Sequence, residues 1–430
     1  MNYHLNKKII VSAVLGNVFE AYDATCFLFL APFVANFFFS PDSVNHNLLK
    51  TLMVFLVGFL IRPLGGLVLG GVADMYGRKK SLVLSVLLAS VFTSFIMLIP
   101  GYKQMGSLAT FLLICCRLGQ SFAMGGEYVT SVAFLIEHAP PEEKGYAGSW
   151  AALGANTGVL LAALSSGLVT YFISQSMMPV WAWRIPFLFS LIGIAVTYWI
   201  RRYALETLDF VLDHSCIELR KTQLLWQIIK DFLEKDKKKL AMMVGLIGLV
   251  SSSYYLVFTY GVLHQCLINH IEVETVWIMV FSLMLLILLS PVMGKISDRW
   301  GRDNVLFFSS LFFLCLVYPY FYCLSFSSFG WVIFFQCLIA IPAAGLYSVI
   351  LTVIVEMIPL KARCSLGGSI YGVISGLFGG AAPLIAGMLI QSTGSPLSPA
   401  YYLIFCGLMG VAASVALRMQ VREVYFYFSG

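Results

Sequence analysis

Five ionisable side chains sit in stretches of sequence that are otherwise apolar: Glu20, Asp23, Arg62, Arg117 and Glu127. A charge at the depth of such a stretch is expensive unless it is paired, hydrogen-bonded or turned to a water-filled cavity. Glu20 and Asp23 are three residues apart, so a helix puts them on one face, and Asn17 extends that face. On a second stretch Arg117, Gln120, Met124 and Glu127 fall within about 80° of one another at about 100° per residue, which makes another polar stripe. The simplest arrangement turns both stripes to one central cavity. The chemistry open to these groups is proton uptake by a carboxylate and forked hydrogen bonding by a guanidinium. A carboxylate in a partly desolvated cavity can take up a proton near neutral pH. Glu127 and Asp23 are the first candidates for that role. Arg117 either pairs with one of them or holds a bound carboxylate. The same groups would also serve as a static ion pair that fixes helix packing, and Glu20 and Arg62 as braces between neighbouring helices.

The elements that position these groups follow from composition. Of 430 residues, 60% are hydrophobic and only 11% charged, with a mean hydropathy of +0.88. A soluble globular chain carries roughly 25% charged residues. This composition excludes a water-soluble enzyme, a disordered chain and a secreted disulfide scaffold, and it makes lipid the solvent for most of the chain. The ten cysteines include no Cys-x-x-Cys pair, and the six histidines show no metal-ligand spacing. They read as packing residues, with no metal site. There is no phosphate-binding loop and no nucleophile–base constellation, so neither an enzyme nor a nucleotide-driven pump is expected.

A spanning helix needs about 20 apolar residues. About twelve such runs are present, at 9–36, 49–73, 81–99, 107–137, 145–173, 183–203, 239–264, 275–297, 304–324, 329–358, 363–392 and 398–420. They are too long for strands and lack period-2 alternation, which predicts an all-α membrane protein. The first run follows Lys7 and Lys8 but outlasts a signal peptide's apolar core and contains Glu20 and Asp23, so it reads as a retained helix. With the N-terminus placed in the cytoplasm, only Lys50, Lys103 and Arg184 of the 27 basic residues fall on the opposite side. Arg62 and Arg117 lie within spans, and the remainder fall on the cytoplasmic side. The positive-inside rule therefore puts both termini in the cytoplasm. The longest loop, 204–238, separates an N-terminal half, 1–203, from a C-terminal half, 239–430. The run Lys235-Asp236-Lys237-Lys238-Lys239 reads as an interfacial anchor or a contact for anionic headgroups.

A repeat supports the division. Gly70, Asp74, Gly77 and Arg78 recur as Gly294, Asp298, Gly301 and Arg302, each at the same offset along the chain. A looser echo follows, Glu137-x-x-Pro140 with Gly145 and Glu356-x-x-Pro359 with Arg363. Two parallel six-helix repeats are the plan of major facilitator transporters. Over its whole length the chain resembles that superfamily. It is most similar to the metabolite:proton symporter branch, which includes proline/betaine, α-ketoglutarate, citrate and shikimate transporters. The stretches that carry the likeness are Gly16-Asn17-Val18-Phe19-Glu20-Ala21-Tyr22-Asp23, Gly58-Phe59-Leu60-Ile61-Arg62-Pro63-Leu64-Gly65-Gly66, Gly125-Gly126-Glu127-Tyr128, Glu137-His138-Ala139-Pro140-Pro141 and Trp183-Arg184-Ile185-Pro186-Phe187. The branch's helix-one signature has Trp and Phe where this chain has Ala21 and Ala24, so a pocket shaped by those aromatics differs here. The chain runs only a short way past its last span, so the long C-terminal coiled coil of osmosensing members is not expected.

The resemblance implies two pseudo-symmetric six-helix halves and proton-coupled uptake of a small organic acid, amino acid or betaine by alternating access. The alternative is proton-driven export of a drug, siderophore or metabolite. It implies no cofactor beyond the proton gradient, no nucleic-acid partner, a monomer, and residence in a bacterial inner membrane. It also implies that Asp74 meets the start of helix eleven near Arg363, and Asp298 the start of helix five near Gly145, closing the cytoplasmic side. A carboxylate at a helix start satisfies free backbone N–H groups and the helix dipole. Tyr254, Tyr255, Tyr260 and Tyr347 are candidates for the C-terminal wall of the pocket, where aromatic faces attract quaternary ammonium groups, and Gln336 is a candidate polar contact. Glycines 154, 158, 367, 368, 372, 376, 379 and 380 would let helices five and eleven slide, with Pro383 adding a kink.

Overall fold

The computed structural model describes residues 7–40, 44–189, 191, 195, 206, 221–261, 273–326 and 328–429. Among these residues every regular element is helical. In chain order the spanning-length helices, with one shorter apolar helix, are α1 (Lys7–Phe29), α2 (Met53–Tyr76), α3 (Arg78–Leu98), α4 (Ser107–Glu137), α5 (Pro141–Ser174), the shorter α6 (Val180–Phe189), α7 (Lys237–Tyr260), α8 (Trp277–Trp300), α9 (Arg302–Phe326), α10 (Phe329–Met357), α11 (Leu360–Thr393) and α12 (Ser398–Glu423). Eleven of these, all but α6, are long and apolar enough to cross a membrane. The sixth expected run, 183–203, lies mostly outside the described residues. So does most of the expected loop 204–238, although Lys221–Lys235 is a helix that buries Leu225, Ile229 and Phe232.

The outward surface of the bundle is apolar. Leu60, Leu98 and Leu288 are each at least 60% exposed, and Trp300, Phe312 and Phe405 are exposed as well. Water does not tolerate a patch of that extent, and lipid does. The interior is packed mainly by hydrophobic side chains, with buried polar and charged residues such as Asn17, Asp23, Arg117, Gln120 and Glu127 among them. Helix α10 is the most enclosed, with 89% of its most apolar window buried.

The repeated motif forms two matching corners. Gly77 joins α2 to α3 at φ 110°, and Gly301 joins α8 to α9 at φ 90°. Only glycine adopts such a backbone without strain, so the duplicated glycine marks a duplicated turn. Close approach explains a second pair. A Cβ on Gly70 would lie 2.5 Å from the Cys364 carbonyl oxygen of α11, and one on Gly294 would lie 2.6 Å from Ser149 Oγ of α5. Backbone contact of α2 with α11 and of α8 with α5 therefore depends on these positions. At α6, Arg184 donates from Nε to the Met97 carbonyl (2.8 Å) and from Nη2 to the Ile99 carbonyl (3.2 Å), which satisfies the end of α3.

The expected break at Pro383 is present as a change of winding. Gly376–Gly380 forms a π-helical turn and Ala382–Thr393 resumes as an α-helix. A second π-helical segment, Tyr254–Tyr260, ends α7. Segments of this kind interrupt the regular hydrogen-bond ladder and occur often at functional sites.

Replacing Gly294 with Val should lower the thermal midpoint of the purified protein by several degrees, the effect of overpacking by roughly 1–3 kcal/mol. Gly330→Val, where nothing lies within 4 Å of an added Cβ, should leave it close to wild type. Thermal unfolding followed by size-exclusion chromatography measures both.

Candidate functional site

A cavity of about 130 Å3 lies where the two halves meet. Its wall draws Asn17, Glu20 and Thr25 from α1, Arg62 from α2 and Tyr128 from α4, with Asn156 from α5. The other half supplies Ser251, Tyr254 and Tyr255 from α7, Tyr347 from α10 and Tyr371 from α11. On this wall Asn17 Oδ1, Arg62 Nε, Asn156 Nδ2, Ser251 Oγ and the Tyr254 hydroxyl are buried with no hydrogen-bond partner among the described residues. Buried polar atoms in native structures are almost always satisfied. These atoms face a space where a polar solute or water can satisfy them.

Each candidate from the sequence has a definite place. Asn17, Glu20 and Arg62 line the cavity. The Arg62 guanidinium lies over the Phe59 ring, 3.8 Å from its centroid. Asn17 donates from Nδ2 to Ser131 Oγ at 2.9 Å, tying α1 to α4.

Asp23, Arg117 and Glu127 lie behind the wall, and this corrects the expectation that both stripes face one cavity. On α4 only Met124, Gly125 and Tyr128 reach it. The helix is interrupted at Gly126, which separates Ser107–Gly125 from Glu127–Glu137. Arg117 is 2% exposed and stacks on Phe27, 4.1 Å from the ring centroid. It donates from Nη1 to Gln120 Oε1. Gln120 Nε2 donates to Thr93 Oγ1 at 2.8 Å, and the Thr93 hydroxyl in turn reaches Asp23 Oδ2 at 3.4 Å. A continuous polar path thus joins the α4 guanidinium to the α1 carboxylate through α3. Glu127 is engaged separately: Ser85 Oγ donates to its Oε2 at 3.1 Å.

One end of the bundle is closed by the repeated motif. Asp74 accepts the backbone N–H groups of Cys364 (3.1 Å) and Ser365 (2.9 Å) and the Ser365 hydroxyl (2.8 Å), all at the start of α11. Asp298 accepts the N–H groups of Gly145 and Tyr146, both at 2.7 Å, at the start of α5. Each carboxylate therefore crosses from one half to the other. The arginines complete the corners. Arg78 forks onto Glu137, Nε to Oε2 at 3.2 Å and Nη2 to Oε1 at 3.1 Å, and also pairs with Asp74 at 3.2 Å. Arg363 of α11 reaches the same Glu137 oxygen at 3.1 Å. In the other half Arg302 pairs with Glu356 at 2.7 Å and Asp298 at 3.4 Å. Arg78 and Arg302 thus belong to the two charged clusters at these corners.

Comparison with known proteins agrees with this architecture. The family described as sugar (and other) transporter matches residues 9–419. The chain belongs to this transporter family. It is 30% identical over 419 residues to the proline/betaine transporter of Escherichia coli strain K12, covering 96% of this chain and 83% of that protein. It is 28% identical over 424 residues to the citrate-proton symporter of Klebsiella pneumoniae, covering 95% and 91%. It is also 30% identical over 417 residues to the α-ketoglutarate permease of E. coli K12, covering 96% and 93%. The fold matches that of a proton:xylose symporter with a TM-score of 0.76 at 14% identity, over 95% of this chain and 94% of that one. The chain is accordingly a multi-pass membrane transporter and not an enzyme.

Some residues of this transporter's site were not singled out from the sequence. Tyr128, Tyr371 and Asn156 line the cavity and Thr93 bridges Asp23 to Gln120. A polar residue at mid-run in a spanning helix is a usable signal for Asn156, whereas a Tyr gives none by itself. Conversely, Tyr260 and Gln336 are buried off the wall. Gln336 Nε2 donates to the Val257 carbonyl at 3.3 Å, which satisfies backbone freed by the π-helical segment of α7.

The gate contains its own reporter. Cys364 is 0% exposed while Asp74 holds the start of α11. Glu137→Gln leaves Arg78 and Arg363 with less compensating charge at this gate. If that costs roughly 1–3 kcal/mol of closure, alkylation of Cys364 should accelerate by about tenfold or more over wild type, read by site-resolved mass spectrometry.

Proposed function

We propose that this protein is a proton-coupled symporter that takes up a small organic acid, amino acid or betaine-like solute by alternating access. The observation that carries the reading is the Asp23 carboxylate, 3% exposed and joined through Thr93 and Gln120 to Arg117, directly behind the solute cavity. An ionised carboxylate at that depth requires compensation from Arg117, whose field reaches it. Protonation removes the requirement and frees the guanidinium to settle differently. Two states of the network then favour two arrangements of α1 against α4, and a proton selects between them. Glu127, held by Ser85, is the second acid of the pathway.

The remaining assignments belong to the same reading. The end closed by Asp74 and Asp298 is the cytoplasmic one, as the basic residues of its loops suggest. Both termini lie there, in a bacterial inner membrane, and the protein works as a monomer in two halves, 1–203 and 239–430, joined by 204–238. Both aspartate contacts hold this end together, and the transition to the inward-facing state breaks them. The names of relatives that transport proline, betaine, citrate or α-ketoglutarate support uptake over export.

In a transporter-deficient bacterium, expression should give accumulation of one such solute that a protonophore abolishes. Asp23→Asn should reduce accumulation by about tenfold or more, to equilibration, while exchange of labelled for unlabelled solute persists, because only the proton's influence on the equilibrium is lost. Full accumulation by Asp23→Asn, or accumulation indifferent to the protonophore, would overturn the reading.

A further inference from the structure

We propose that the cavity is selective for a compact zwitterion, with its carboxylate at Arg62 and its cationic head in the tyrosine cluster beside Glu20; this rests on the reading of the cavity as the solute site.

Charge balance is the first argument. Among the described wall residues Arg62 is the one base and Glu20 the one acid. Asp23, Arg117 and Glu127 lie behind the wall and engage one another or α3. A zwitterion brings one charge of each sign, so it exchanges partners with this wall and leaves no net charge buried. A dicarboxylate brings two negative charges to a wall that already holds one, with a single guanidinium to receive them. Leaving a buried charge uncompensated is among the costliest arrangements a protein interior can hold. A simple cation brings no negative charge for Arg62 to receive.

The distribution of chemistry on the wall is the second argument. Arg62 Nε, Asn156 Nδ2 and the hydroxyls of Ser251 and Tyr254 are donors without partners among the described residues. They suit an acceptor-rich carboxylate. The tyrosines on the wall pack in two groups. Tyr254 packs edge-on to Tyr255 and Tyr347, with centroids 5.8 and 5.4 Å apart, and Tyr128 packs on Tyr371 at 5.9 Å. Glu20 acts electrostatically on Tyr128, Tyr255 and Tyr371, and Arg62 on the last two. The acid and the base thus face a shared aromatic region. Aromatic faces attract a cation within about 6 Å of the ring centroid, including one with no N–H to donate.

Size is the third argument. The cavity, about 130 Å3, is slightly smaller than the ~150 Å3 cavity known to hold benzene. A compact solute of about that bulk fits.

The test is direct binding to the purified full chain in nanodiscs by calorimetry, with an isosteric series. Glycine betaine carries both charges. 3,3-Dimethylbutanoate has the same shape with no cation, choline has no carboxylate, and proline and α-ketoglutarate complete the set. The proposal expects betaine or proline to bind at least ~10-fold more tightly than 3,3-dimethylbutanoate, choline or α-ketoglutarate. It expects Glu20→Gln to erase most of the preference for betaine over 3,3-dimethylbutanoate, and Glu20→Asp to restore part of it. Arg62→Gln should weaken betaine while leaving choline unchanged. Tighter binding of α-ketoglutarate or citrate, no binding of any zwitterion, or an unchanged betaine preference in folded Glu20→Gln would each overturn it. Because binding needs no gradient, zwitterion binding without protonophore-sensitive accumulation would count against the symport reading alone.

Discussion

Charge that enters the bilayer must stay compensated in every conformation the protein visits, and most of this structure can be traced to that constraint. A chain with only 11% charged residues still places acids and bases inside its bundle. Asp23 is connected to Arg117 through two neutral side chains, Asp74 and Glu137 share Arg78, and Asp298 and Glu356 share Arg302. Removing one member of a buried set of this kind is strongly destabilising, because it leaves the other charge uncompensated. Partners can therefore be exchanged but not abandoned, and a proton or a charged solute is a partner that arrives from outside.

The two aspartate contacts that cross between the halves illustrate how little is needed to make such an exchange reversible. Each is a carboxylate against backbone N–H groups at the start of a helix from the other half. Those N–H groups have no partner within their own helix, so the contact satisfies them when closed and water can do so when open. The difference between the two states is then a matter of a few hydrogen bonds rather than of a buried charge stranded in hydrocarbon. Glycine at 70 and 294 brings the backbones close enough for the contact to form.

Much of this was legible in the sequence because it depends on composition and periodicity. Long apolar runs marked the helices, the duplicated Gly-Asp-Gly-Arg pattern marked the two matching corners, and the family resemblance implied the partners of Asp74 and Asp298 near Arg363 and Gly145, where the contacts are found. Rotation of side chains about each helix was not legible. Arg117 and Gln120 miss the cavity because they are taken up by neighbouring helices, Arg117 over Phe27 of α1 and Gln120 on Thr93 of α3. Glu20 and Asp23 are close on α1, yet one lines the cavity and the other lies behind it, because neighbouring helices divide that face. Tyr128 and Tyr371 carry no signal in a chain with 21 tyrosines. Only packing reveals which of them meet.

The central claim is that Asp23 transfers the energy of a proton gradient to the solute. It is tested most directly by proton movement itself, in proteoliposomes with a pH dye trapped inside and no imposed gradient. Adding solute outside should acidify the lumen of wild-type vesicles as proton and solute enter together. With Asp23→Asn the solute should still equilibrate, with no change in internal pH. Solute entry without acidification in wild type, or equal acidification in the variant, would contradict the account.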